Sequence, residues 1–86
     1  MSRDDTARRA RLVIARELAC PVGRVRDDAE FAGDLKADSL DMVRLPAALE
    51  EEFDVLLTDD EVAFCKTVGT AIDVLDAKLE NAGRFA

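Results

Sequence analysis

Histidine, tryptophan and tyrosine are absent from this 86-residue chain. Without histidine it lacks the side chain that most often serves as general base or metal ligand near neutral pH. The two cysteines, Cys20 and Cys65, are too few and too widely spaced for a zinc site. With no secretory signal before them, they are expected to be reduced, buried thiols. Two prolines and four glycines leave no room for a flexible linker, and no repeat or low-complexity tract is present. The longest aliphatic run, Leu12-Val13-Ile14-Ala15, is far short of the roughly 18–20 residues of a membrane span and too short for a secretory core. Asp4 and Asp5 argue against a transit peptide, so the cytoplasm is the expected compartment. Positive charge is also in deficit. Twelve basic against nineteen acidic residues give −7, which makes nucleic acid and anionic membranes poor partners. A chain of this length hides only about 60% of its unfolded surface, so one small-cored domain over 1–86 is expected, ordered over about 6–80 with flexible termini.

What charge there is falls in blocks. Residues 1–26 carry seven arginines against three acids, a net of +4. Residues 27–62 carry thirteen acids against Lys36 and Arg44, a net of −11, and the remainder balances. Such a distribution fits two readings: attraction within the fold, or an acidic middle that docks basic partner proteins.

Helical periodicity runs throughout. Ala10, Val13, Ile14 and Leu18 share one face of a first helix that Thr6 can cap, ended by Cys20-Pro21-Val22-Gly23. A long loop follows from about Arg24 to Asp38, pinned by Val25, Phe31 and Leu35; a loop of that length in so small a domain is usually functional. A second helix is expected from Ser39 to about Phe53. A short third begins near Thr58, with acids in its first turn where the dipole favours them. A fourth runs from a Thr67 cap to about Leu79, with Gly83 just beyond its end. No segment alternates as a strand does. The fold class is all-α: a four-helix bundle of three longer helices and one short third helix, with a long loop between helices one and two.

The second helix has two apolar faces. Met42, Leu45, Leu49 and Phe53, with Ala48 beside them, form the bulkier stripe and should face the core. Leu40, Val43 and Ala47 form another, flanked by Arg44 and Glu50 and continued by Glu51. A charged rim around an apolar strip suits a partner, although scattered surface apolars are common. Glu50, Glu51 and Glu52 crowd the negative end of the helix dipole, a local cost that points to another use for those charges.

At the head of this helix stands Asp38-Ser39-Leu40. A serine there is most often a cap, yet the same helix start favours an attached phosphate. With no histidine to take its proton, Ser39 is a better target for modification by another enzyme than a nucleophile in its own right.

The stretch Asp34-Leu35-Lys36-Ala37-Asp38-Ser39-Leu40-Asp41, followed by Ala48-Leu49-Glu50-Glu51-Glu52-Phe53-Asp54, resembles the acyl carrier proteins of fatty-acid and polyketide synthesis. The likeness extends through Phe31, Asp59-Asp60-Glu61 and Thr67-Val68 to Ala71-Ile72-Asp73 and spans roughly residues 6 to 80. The resemblance implies a non-catalytic, monomeric carrier with no metal site of its own. Ser39 would accept a 4′-phosphopantetheine arm from coenzyme A through a phosphopantetheinyl transferase, and acyl groups would ride on the arm as thioesters. Asp38, Leu40 and Asp41 would be read by the transferase. Leu40, Val43, Arg44, Ala47, Glu50 and Glu51 would dock acyl-loading, chain-elongating or acyltransferase enzymes through their basic patches. Leu49, Cys65, Ala71 and Ile72 would line an acyl groove.

Six residues depart from the family pattern, among them Ala47, which replaces a larger apolar residue on the exposed stripe, and Cys65, at a typically aliphatic position. Lys36 stands where a glycine is usual; if the turn needs positive φ, lysine costs about 1 kcal/mol or more there. Arg44 replaces an acid in the docking face. Pro46 falls inside the second helix, removes the hydrogen bond to the Met42 carbonyl, and should kink or break it at a cost of order 3 kcal/mol. Phe64, at a typically polar position, is either core or an exposed contact. These changes suggest a specialised pathway. The competing readings are an aminoacyl or peptidyl carrier and a helical adaptor in which Ser39 is only a cap. A calcium sensor is unsupported, because Asp34, Asp38 and Asp41 do not make the required loop.

Overall fold

Ser2, rather than Thr6, caps the first helix. In the computed structural model, which describes residues 2–85 and side chains as far as Asn81, Ser2 Oγ accepts from the Asp5 N–H at 3.2 Å. Helix α1 (Arg3–Leu18) therefore starts one turn earlier than its apolar periodicity suggests. Thr6 is fully buried, and its hydroxyl donates to the Ser2 carbonyl at 3.2 Å. At the other end Ala19 takes the left-handed conformation (φ 52°), and the Cys20 N–H reaches back to the Ala15 carbonyl at 3.0 Å. That wrap closes α1 where glycine usually does so.

A single 3₁₀ turn, Val22–Arg24, precedes the long loop. The loop is tied down at intervals by backbone bonds to the segment leading into the last helix. The Phe31 N–H donates to the Lys66 carbonyl at 3.2 Å, and the Val68 and Gly69 N–H groups donate to the Ala29 and Asp27 carbonyls at 3.0 and 2.8 Å. A Cβ on Gly69 would stand 3.0 Å from the Asp27 carbonyl oxygen, so this approach depends on the glycine. Val25 and Phe31 are buried, as their pinning role requires, and Leu35 packs half-buried against the core.

Helix α2 (Ser39–Phe53) is continuous through Pro46. The break that proline threatened does not occur, and Leu45, Leu49 and Phe53 stay buried on one face. Asp54 closes α2 in the left-handed region (φ 54°). Helix α3 (Asp59–Phe64) is capped by Thr58 with Glu61 in reciprocal bonds of 3.1 and 2.9 Å. Helix α4 (Val68–Phe85) starts at the Thr67 hydroxyl, as expected, but runs past Leu79 and carries Gly83 inside it. Helix α1 is the shared partner of α2 and α4, and α3 rests on α4. The core is aliphatic, with Ile14, Val68, Ile72 and Leu75 almost wholly enclosed. The all-α, four-helix architecture follows; the sole β-type pairing among the described residues is the isolated Glu30–Thr67 bridge.

The basic first segment spends much of its charge inside the fold. Arg3 pairs with Asp73 at 2.7 Å and Asp27 at 3.6 Å, and Arg11 also pairs with Asp27. Arg9 clamps the end of α2. It meets the Glu52 carboxylate at 2.9 Å and the Glu52 carbonyl at 2.8 Å, with its guanidinium 4.7 Å from the Phe53 ring centre. Attraction within the fold, one of the two readings of the charge blocks, is thus realised.

Candidate functional site

Asp38 caps α2. Its Oδ1 accepts from the Asp41 N–H at 2.9 Å, and Asp41 Oδ2 accepts from the Asp38 N–H at 3.1 Å. This reciprocal box fixes the helix start one residue ahead of Ser39, which is therefore the first helical residue and does not act as the cap. Ser39 is exposed, and its hydroxyl has no hydrogen-bond partner among the described residues. It stands where unpaired N–H groups and the positive end of the dipole favour a phosphate. Each of the two flanking carboxylates keeps its other oxygen outside the box. Leu40, next in line, is 64% exposed.

The loop that delivers Ser39 holds Lys36 at φ 58°, the left-handed conformation at which its side chain was expected to be costly. Asp34 Oδ2 accepts from the Glu30 N–H at 2.8 Å, and the Ala37 N–H donates to the Phe31 carbonyl at 2.8 Å. The turn is thus anchored to the backbone of a buried aromatic at the residue immediately before the helix box.

Along α2 the second apolar stripe faces outward: Val43 is 71% exposed, and Arg44, Ala47 and Glu51 are exposed with it. Arg44 has no ion-pair partner among the described residues. It borders a shallow groove between α1 and α2 that also holds Arg16, Ala47 and Glu51. Glu50 departs from the expected outward set. It is half-buried, and its Oε2 accepts from the Leu57 N–H at 2.7 Å, which ties the α2–α3 connection down. With Glu52 held by Arg9, two of the three clustered glutamates serve the fold, and Glu51 is the one left facing solvent. Phe64 is 60% exposed and Leu56 81%, so both are surface contacts rather than core. Leu56 carries no sequence signal, because an isolated apolar residue in a short connection has no periodicity to orient it.

Between α2, α3 and α4 lies an apolar cavity of about 30 Å³. Of the four residues expected at an acyl groove, Leu49, Cys65 and Ala71 line this cavity, whereas Ile72 is fully enclosed in the core. Met42, Pro46, Leu57 and Val62 complete much of the wall and were not among the residues expected to line a groove. Pro46 thus contributes its ring to the cavity. Cys65 and Cys20 are free, half-buried thiols; burial pushes the Cys65 thiol up, with Glu61 adding to the effect, which disfavours the reactive thiolate.

Helix α3, which closes one side of the cavity, is held by Glu61. The Thr58 N–H and then Lys78, at 2.9 Å, keep this carboxyl below the usual carboxylate range. A depressed pKa contributes stability that is present above the unfolded value and lost as pH falls through the folded one. Acidification below the usual carboxylate range is therefore expected to loosen α3, and Glu61→Gln should make the melting temperature less sensitive to that acidification. An acid limb of the melting profile unchanged by Glu61→Gln would refute the assignment.

The phosphopantetheine attachment site family matches residues 8–75. An acyl carrier protein of Prochlorococcus marinus is 37% identical over 78 residues, covering 91% of this chain and 98% of the relative. Among solved structures, the acyl carrier protein of Enterococcus faecalis superposes with a TM-score of 0.74 at 26% identity, covering 91% of this chain and 99% of that one.

Proposed function

Since the chain belongs to the acyl carrier protein family, whose members carry a covalent 4′-phosphopantetheine, we propose that Ser39 is the attachment point and that acyl groups travel on the arm as thioesters. The observation that carries this reading is an exposed serine hydroxyl, free of capping duty, at a helix start that a neighbouring aspartate already caps. Such a hydroxyl is available for ester formation without unmaking the helix. Its oxygen would form the phosphoester bond as the P–O–P linkage of coenzyme A breaks, with adenosine 3′,5′-bisphosphate as the leaving group. Its proton leaves to a base of the transferase, since this chain has no histidine and the Asp38 and Asp41 carboxylates are engaged in capping the helix. Asp38, Leu40 and Asp41 present the serine to that transferase. The chain is thus a substrate and carrier for other enzymes and performs no catalysis itself.

When bound, the arm supplies a terminal thiol for cargo. The cavity floor of Leu49, Cys65 and Ala71 is the place for the acyl chain, and its lining favours apolar cargo. At about 30 Å³ it matches roughly one water's share of liquid volume. A chain of any length must part the walls, and α3, six residues resting on α4, is the wall that yields.

Leu40, Val43, Ala47 and Glu51 form the docking strip, with Arg44 in its middle. A partner with a uniformly basic patch meets a like charge at Arg44, so the enzymes this carrier serves belong to a dedicated pathway and place an acid or a gap there. Arg44→Glu is expected to raise kcat/KM with a general ketosynthase or acyltransferase by roughly 3–10-fold at low salt. Unchanged kinetics would remove the argument for a dedicated partner.

The carrier reading itself is tested by intact mass spectrometry. The purified chain, incubated with coenzyme A and a carrier-protein transferase, should gain the mass of one phosphopantetheine. No gain, under conditions that modify another carrier protein, defeats the reading.

A further inference from the structure

Within residues 27–43 there are six acids and one cation, Lys36. That cation occupies the left-handed region, where a side chain costs free energy that glycine would avoid. It is exposed and makes no ion pair or hydrogen bond among the described residues. The acids around it are engaged otherwise: Asp34 by the Glu30 N–H, and Asp38 and Asp41 by each other's backbone. Lys36 therefore pairs with no carboxylate in the fold, although Asp34 and Asp38 flank it in the chain. It lies three residues before Ser39, and three residues of chain span at most about 10–11 Å, a distance that a lysine's long stem can close.

A phosphodiester on Ser39 brings a permanent negative charge beside Asp38 and Asp41, which already bear two. Those carboxylates also hold one of the N–H groups at the helix start that could otherwise have faced the phosphate. The surroundings of the arm are thus short of positive charge, and Lys36 is the cation nearest to Ser39 along the chain.

We propose that Lys36 binds the phosphate of the arm, holding the first linkage of the prosthetic group against the loop and offsetting its repulsion from Asp38 and Asp41. This rests on Ser39 being the attachment point. It makes Lys36 a positioning residue, since the phosphate takes no part in acyl transfer. The unattached form keeps the lysine idle; attachment gives it a partner.

The test compares the natural chain with Lys36→Met, which retains a Cβ in the same left-handed backbone and removes only the charge. Each is prepared with and without the arm, and mass spectrometry establishes attachment first. Adding the arm should lower the melting temperature of Lys36→Met by roughly 2–4 °C more than it does for the natural chain. The phosphorus NMR resonance of the two loaded proteins should differ, and both differences should fade in about 1 M salt, where screening acts within roughly 3 Å. Lys36→Gly provides a second variant. Relief of backbone strain should raise its melting temperature with and without the arm alike, while its response to loading follows Lys36→Met. Equal responses to loading in all three proteins, with an unmoved phosphorus resonance, would overturn the role of Lys36 and leave the carrier reading standing. Absence of the arm from the natural chain would overturn both.

Discussion

Ser39→Ala should abolish every trace of modification by coenzyme A and a transferase, while changing the unfolding free energy by less than about 0.5 kcal/mol. The two halves of this result come from one geometric fact. Removing a serine that caps a helix costs about 0.5–2 kcal/mol. Here the cap is Asp38, whose carboxylate holds the Asp41 N–H while Asp41 holds the Asp38 N–H. The Ser39 hydroxyl contributes no bond to the fold among the described residues, so its loss leaves the helix start intact. Intact mass spectrometry and denaturant titration read the two effects separately. A surviving mass gain would move the attachment point elsewhere. A stability loss of 1–2 kcal/mol would return the serine to the role of cap and restore the adaptor reading.

Phe31→Ala is expected to cost about 3–5 kcal/mol, a large share of the 5–15 kcal/mol typical of a whole domain. Phe31 is buried in the long loop, and its ring lines the apolar cavity. Its backbone ties the loop to Lys66 on one side and to Ala37 on the other. Truncation empties space beneath the segment that presents Ser39, and it removes the apolar anchor that keeps the loop from exchanging those bonds for water. The denaturant midpoint should fall accordingly, while Phe31→Leu should cost less than about 1.5 kcal/mol because most of the volume is kept. A loss below 1 kcal/mol for Phe31→Ala would mean that backbone bonds alone hold the loop.

These two residues also mark where reading the chain succeeds. Phe31 stood out as the aromatic in a long polar loop, and its burial is what pins that loop. Ser39 stood out because a long loop meets a helix there. Lys36 was legible too: the cost foreseen for a lysine at positive φ is present at φ 58°. Glu50 was misjudged for a physical reason. Helical spacing gives the angle at which a side chain leaves the helix, but not whether the next connection passes close enough to donate an N–H to it. Glu50 leaves α2 beside the exposed apolar strip, yet the chain returns so that the Leu57 N–H meets its carboxylate. Thr6 was misassigned in a similar way: apolar periodicity begins only where the core begins, whereas the helix extends back to the first side chain able to cap it, Ser2.

The order of the chain by itself determined the helices, the core stripe of α2 and the serine at its head, because each follows from local spacing and from the chemistry of neighbouring residues. Tertiary structure alone decided that Pro46 leaves α2 whole, that Ile72 sits in the core while Leu57 and Val62 wall the cavity, and which of the three clustered glutamates faces solvent. Those outcomes depend on how α2, α3 and α4 approach one another, and residues far apart in the chain set that approach.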